Sequence, residues 1–152
     1  MYNEKSFTTR LRKSADKWCS ENGKSIFWHK IADTGFTNPF DIIGCRSDGK
    51  CLAIEVKMCK NKTIWNARSS FFKRHHQIDN LIKIDNLGGK AWVILCHFQY
   101  PDTNTAYAIT PSVAHGLIVN GSIIISELIE HKLAVELPYM KGQLYDLSPI
   151  LK

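Results

Sequence analysis

Asn38-Pro39-Phe40-Asp41-Ile42-Ile43-Gly44, then a short polar turn, then Cys51-Leu52-Ala53-Ile54-Glu55-Val56-Lys57-Met58 is the stretch that decides how this chain folds. Both runs are apolar enough to be strands, yet together they carry two acids and a lysine. Side chains alternate between the faces of a strand. Leu52, Ile54, Val56 and Met58 therefore share one face, and Cys51, Ala53, Glu55 and Lys57 the other. The first set packs, while the second places a carboxylate beside an ammonium. A buried charge is costly unless something pairs with it, so three in two neighbouring strands read as a site.

Whether Asp41 joins the other two depends on the turn. A two-residue loop at Asp48-Gly49 pairs position 41 with 56 and puts Asp41 on the wrong face. A three-residue loop, Ser47-Asp48-Gly49, closes on 46 and 50 and sets Asp41 opposite Glu55. The longer loop is a common hairpin type with glycine in the left-handed position, and we expect it because it brings the charges together. Two carboxylates so close cannot both ionise cheaply without a cation. Oxygen ligands favour Mg²⁺, with Mn²⁺ as a substitute. Asp41, Glu55 and the backbone carbonyl of Val56 are the candidate ligands. Such a metal polarises a phosphate and lowers the pKa of a water. Lys57 would orient that water or stabilise charge building on the phosphate. The competing reading is an internal Glu55–Lys57 pair on an exposed strand face, with Asp41 as a loop cap.

Upstream, residues 5–20 have Phe7, Leu11, Ser14/Ala15 and Trp18 at helical spacing. Arg10, Arg12, Lys13 and Lys17 decorate the rest, either as a solvated basic face or as a helix lying along phosphates. Gly23 is a C-terminal cap. Residues 25–32 read as a strand. Downstream, residues 64–70 are irregular. A helix capped by Ser69 or Ser70 runs to about Leu87, and Gly88-Gly89 ends it. Residues 91–96 are apolar on both faces, as in a strand buried from both sides. Thr105–Ile109 is a short strand, and Thr110-Pro111 opens a helix over Ser112–Leu117. Residues 123–139 are ambiguous between helix and strand, and the tail from Lys141 packs back on the core.

The chain has 152 residues, enough to bury a core as one domain over 1–152. Its net charge of +6 and pI of about 9.1 fit an anionic partner. Five cysteines without a Cys-x-x-Cys pair favour reduced thiols in a cytoplasmic protein over a disulfide framework or a zinc site. The polar N-terminus and the lack of a long apolar run predict neither signal peptide nor membrane segment.

The acid, the gap and the Glu55-Val56-Lys57 word resemble the PD-(D/E)xK nuclease superfamily. Within it the chain is most similar to RecU-type Holliday junction resolvases, then to the archaeal type. Lys60-Asn61-Lys62-Thr63, Phe72-Lys73-Arg74-His75-His76-Gln77, Gly88-Gly89 and the tail Leu137-Pro138-Tyr139 … Tyr145-Asp146-Leu147-Ser148-Pro149-Ile150 carry that closer likeness. The resemblance implies an α/β, restriction-endonuclease-like αβββαβ core with a mixed central sheet flanked by helices. It implies a Mg²⁺-dependent endonuclease acting on DNA, with a four-way junction as substrate in recombination and repair. It further implies a homodimer in the cytoplasm of a bacterial or phage-infected cell. Asp41 and Glu55 would hold the metal, Lys57 would act on the attacking water, and Gln77 would support the site. Arg10, Lys13, Lys60, Lys62, Lys73, Arg74 and His76 would contact DNA; their bland reading is ordinary surface charge. Trp65, Phe71 and Phe72 are core residues or junction wedges.

Two departures from the family pattern matter. Only Ile31–Pro39 fills the interval that holds a long stalk in RecU proteins. The family's first-helix glutamate has no direct counterpart, leaving Glu4 or Asp33 as replacements. A restriction or repair nuclease on duplex, nicked or flap DNA, and a non-catalytic DNA-binding protein, are the alternatives.

Overall fold

Helix α1 (Glu4–Asn22) starts where Asn3 and Ser6 cap each other reciprocally and stops at Gly23, whose φ is 59°. It buries Phe7, Leu11, Ala15 and Trp18, the stripe its spacing predicts. The structure is a computed structural model and describes residues 3–32, 38–59, 63–65, 72, 75–99 and 103–152. Strand β1 (Phe27–Lys30) is shorter than the eight residues expected, because only these four pair with β2 (Ile42–Cys45). Gly44 is required at that pairing: a Cβ there would lie 2.2 Å from the Phe27 carbonyl oxygen.

Strand β3 (Cys51–Cys59) returns antiparallel to β2, with Ile42 opposite Ile54 and Cys45 opposite Cys51. The turn is the three-residue one. Arg46 N–H donates to the Lys50 carbonyl at 2.9 Å, and Gly49 takes φ 81°, which costs glycine nothing. Asp48 adds a side-chain acceptor for the Lys50 N–H.

Strand β4 (Thr63–Trp65) corrects the expectation that 64–70 is wholly irregular; it pairs with a later strand outside the main sheet. Helix α2 (His75–Asn86) starts later than Ser70, since Phe72 sits in a bend with its ring buried. Strand β5 (Lys90–Gln99) lies parallel to β3, and β6 (Thr103–Ile109) antiparallel to β5. Helix α3 (Pro111–Asn120) is capped by Thr110, as the Thr-Pro pair predicts. The ambiguous segment resolves into β7 (Ser122–Ile124), which pairs with β4, α4 (Ile125–Glu130) and the edge strand β8 (Val135–Leu137). A small hairpin, β9 (Tyr139–Met140) with β10 (Leu144–Tyr145), leads into α5 (Ser148–Leu151).

The six-stranded sheet runs β1-β2-β3-β5-β6-β8, mostly antiparallel with one parallel pair at its centre. Apart from β4, which lies outside this sheet, the chain runs α, three β, α, β from α1 to β5, the arrangement the hairpin and its flanks imply. Helices cover both faces. Leu52, Ile54 and Val56 of β3 pack with α1, Tyr145 and α5. Ala53, Val93 and Leu95 pack with α2, α3 and α4. The alternation along β3 thus decides which layer each side chain enters, and Glu55 falls in the α2 layer. The tail is pinned by Tyr145, whose N–H donates to Ser14 Oγ at 2.9 Å and whose ring meets Phe7 edge-on. Among the described residues no helix is long and apolar enough to cross a membrane.

Candidate metal centre

Where β2 ends, Asp41 takes over the strand's hydrogen bonding. Its N–H donates to the Ile54 carbonyl at 3.1 Å, and its Oδ2 accepts the Val56 N–H at 2.8 Å. These two bonds bracket Glu55 and set the carboxylates of Asp41 and Glu55 side by side. Lys57 completes the group, with Nζ 2.6 Å from Glu55 Oε1. The exposed-strand reading of the pair does not hold, because Glu55 is only 1% exposed. Lys57 keeps 19% of its side chain exposed.

The electrostatics of Glu55 are those of a carboxylate under pressure. Burial pushes its pKa from 4.5 up to about 8; Lys57 opposes that, and the charge of Asp41 adds to it. Desolvation outweighs the ion pair because the buried carboxylate has exchanged water for a single cationic partner. Among the described residues, its second oxygen, Oε2, has no hydrogen-bond partner. A buried acceptor without a donor costs about 1–3 kcal/mol, more when charged. A fold keeps such an atom where something else satisfies it.

A hard divalent cation fits that description. The donors are all oxygen: the carboxylates of Asp41 and Glu55, and the carbonyl of Val56. By the ladder's alternation, Val56 turns its backbone groups toward the same side as its N–H, where Asp41 sits. No group of three or more His, Cys, Asp or Glu side chains gathers among the described residues. A Mg²⁺ site keeps several waters and needs only one or two carboxylates.

The segment before Asp41 is clamped by α2. His76 Nε2 donates to the Asn38 carbonyl at 3.1 Å, and Asn80 Nδ2 reaches the Pro39 carbonyl at 3.5 Å. Asn38 is itself buried and donates from Nδ2 to the Ala32 carbonyl at 2.8 Å. The structure therefore gives His76, expected at DNA, a bond that holds the chain leading to Asp41. Asn38 and Asn80 were missed. The only sequence signal was the Asn38-Pro39 pair, a turn initiator. Gln77 is buried in the first turn of α2, on the helix packed over the Glu55 face of β3.

Arg10 and Lys13 are not brought to this group. They lie on α1, across the sheet, beside a groove shared with Lys5, Ser6, Thr9 and the turn at Gln143. Glu4 opens the same helix, exposed. Lys60, Lys62, Lys73, Arg74 and Asp33 lie outside the described residues, as do Phe71 and the side chain of Trp65; Phe72 is core.

No protein-family model matches the chain, and no curated protein matches it. Among solved structures it is similar to Hjc of Archaeoglobus fulgidus, a Holliday junction resolvase from an archaeal hyperthermophile. The identity is 20%, over 68% of this chain and 77% of that one, with a TM-score of 0.40.

Proposed function

We propose that this chain is a divalent-metal-dependent DNA endonuclease of the PD-(D/E)xK type, and that its substrate is a four-way junction. The observation that carries the reading is the buried Glu55, its Oε2 without a donor among the described residues, beside Asp41 and Lys57. Asp41, Glu55 and the Val56 carbonyl would hold Mg²⁺ or Mn²⁺, which when bound polarises a phosphate and acidifies a water. The residues supply the rest. Asp41 is fixed by the Val56 N–H and by the α2 clamp behind it. Glu55, whose burial favours the protonated form, would have to give up that proton to hold the cation. Lys57, anchored on Glu55 Oε1, has donors left for a phosphate oxygen or the attacking water. Gln77 supports the site from α2.

DNA is the partner that the net charge of +6, with Lys60, Lys62 and Lys73 close in sequence to Glu55 and Gln77, favours. A two-fold dimer would present two such sites and cut two strands symmetrically. The short interval from Ile31 to Pro39 favours one second reading, a nuclease of duplex, nicked or flap DNA.

The test is cleavage of a four-way junction with Mg²⁺ by wild type, Asp41→Asn and Lys57→Ala. Both variants are expected to lose cutting. Cutting at the wild-type rate by either would end the nuclease reading. A panel of junction, duplex, nick and flap separates the two substrates.

A further inference from the structure

Cys45 and Cys51 stand directly opposite each other at the turn end of the β2–β3 hairpin. The phase of the ladder fixes how they pair. Arg46 N–H donates to the Lys50 carbonyl, so positions 46 and 50 are hydrogen-bonded, and alternation makes Cys45 and Cys51 a non-hydrogen-bonded pair. Across such a pair the Cα atoms approach to about 4.5 Å and the side chains come closest. A disulfide spans Cα separations upward from about 4.4 Å. Cys45 is exposed and Cys51 half-buried, so one thiol is open to a reagent and the other waits beside it.

We propose that Cys45 and Cys51 form a thiol–disulfide exchange site, closed by a small disulfide of the glutathione class into a bridge across the hairpin. The Cys45 thiolate attacks one sulfur of oxidised glutathione, forming the mixed disulfide and expelling one glutathione thiolate. The Cys51 thiolate then attacks Cys45 Sγ, forming the protein disulfide and expelling the second glutathione. Each cysteine loses its proton to solvent, and one small disulfide is reduced for one bridge made. Excess reduced glutathione reverses both steps. In the reduced protein, Cys45 Sγ leans toward the Arg46 carbonyl at 3.5 Å, a weak contact that a rotation about χ1 gives up.

The other thiols are poorly placed to compete. Cys59 and Cys96 are buried, and burial pushes the Cys59 thiol up to about 12. Cys19 lies on α1, across the sheet. The bridge would enclose the turn whose register sets Asp41 beside Glu55, so oxidation would lock the geometry of the candidate metal centre. The exchange itself is independent of the nuclease reading.

The test is incubation of the folded protein with oxidised glutathione, an acid quench, thiol titration and tryptic mapping. Cleavage after Arg46 and Lys50 separates the two cysteines, so residues 31–46 and 51–57 stay together only through the bond. The expected result is loss of two of the five thiols, with those two peptides joined until reduced. Cys51→Ser should instead retain glutathione on Cys45. Wild type that keeps all five thiols, holds glutathione on Cys45 without closing, or bridges other cysteines would overturn the proposal.

Discussion

Glu55→Gln should make the metal-free protein more resistant to alkaline pH while removing its metal binding. Glu55 is 1% exposed, and its pKa stands at about 8 against an ordinary 4.5. A carboxyl whose folded pKa is raised binds more protons folded than unfolded between those two values. Stability is therefore fullest below 4.5 and is lost as pH climbs toward about 8. At about 1.4 kcal/mol for each pH unit, the ceiling on this loss is roughly 5 kcal/mol, with roughly 3 kcal/mol of it developing between pH 5 and 8. Glutamine keeps the shape and carries no charge, so its pH slope over that interval should be nearly flat. Part of the gain is returned because Lys57 loses its 2.6 Å partner; its side chain is more exposed than that of Glu55, 19% against 1%, so the return is smaller than the gain. Urea unfolding of both proteins at pH 5, 6, 7 and 8 without divalent ions measures the difference. A wild-type stability flat across the range, or a variant that follows the same slope, would refute the reasoning about Glu55.

Other perturbations read other parts of the account. Asp41→Ala leaves the Val56 N–H without its acceptor and should cost about 1–2 kcal/mol of stability, whereas Asp41→Asn should keep the fold; circular dichroism on thermal unfolding separates them. His76→Ala removes the bond to the Asn38 carbonyl and should weaken metal binding about tenfold with little change in DNA affinity, read by calorimetry and by binding in Ca²⁺. A loss of DNA affinity alone would return His76 to the role its sequence neighbourhood suggested. Gly44→Ala forces a methyl within 2.2 Å of the Phe27 carbonyl and should cost about 3 kcal/mol; an unchanged midpoint in urea would show that β1 does not dock as described.

The sheet was legible because its signals are local. The alternation in Cys51–Met58 and the Asp48-Gly49 dipeptide, with glycine at the third loop position, specify a register. The apolar run from Ala91 to Cys96 specifies the strand beside it. The α1 stripe from Phe7 to Trp18 is equally plain. What stayed hidden depends on contacts distant in sequence. His76 looks like one more basic residue beside Arg74 until the fold brings Asn38 to it. Arg10 and Lys13 read as phosphate contacts, but which face they occupy depends on the parity of β3, which puts α1 on the side of the sheet away from Glu55. Residues 123–139 were ambiguous because β7 and α4 are too short to show a period and depend on β4 and the core for their form. The pair of carboxylates could be derived from the turn, but the depth of Glu55 could not. It follows from α2 closing over that face.

The most direct measurement is calorimetric titration of Mn²⁺ into the protein at pH 7, in two buffers of different ionisation enthalpy. If Asp41 and Glu55 share the cation and Glu55 must give up its proton first, one ion binds with release of about one proton. Affinity then strengthens with pH until about 8, and Asp41→Asn and Glu55→Gln abolish the signal. Binding that releases no proton, or that survives both substitutions, would place the metal elsewhere and contradict the account.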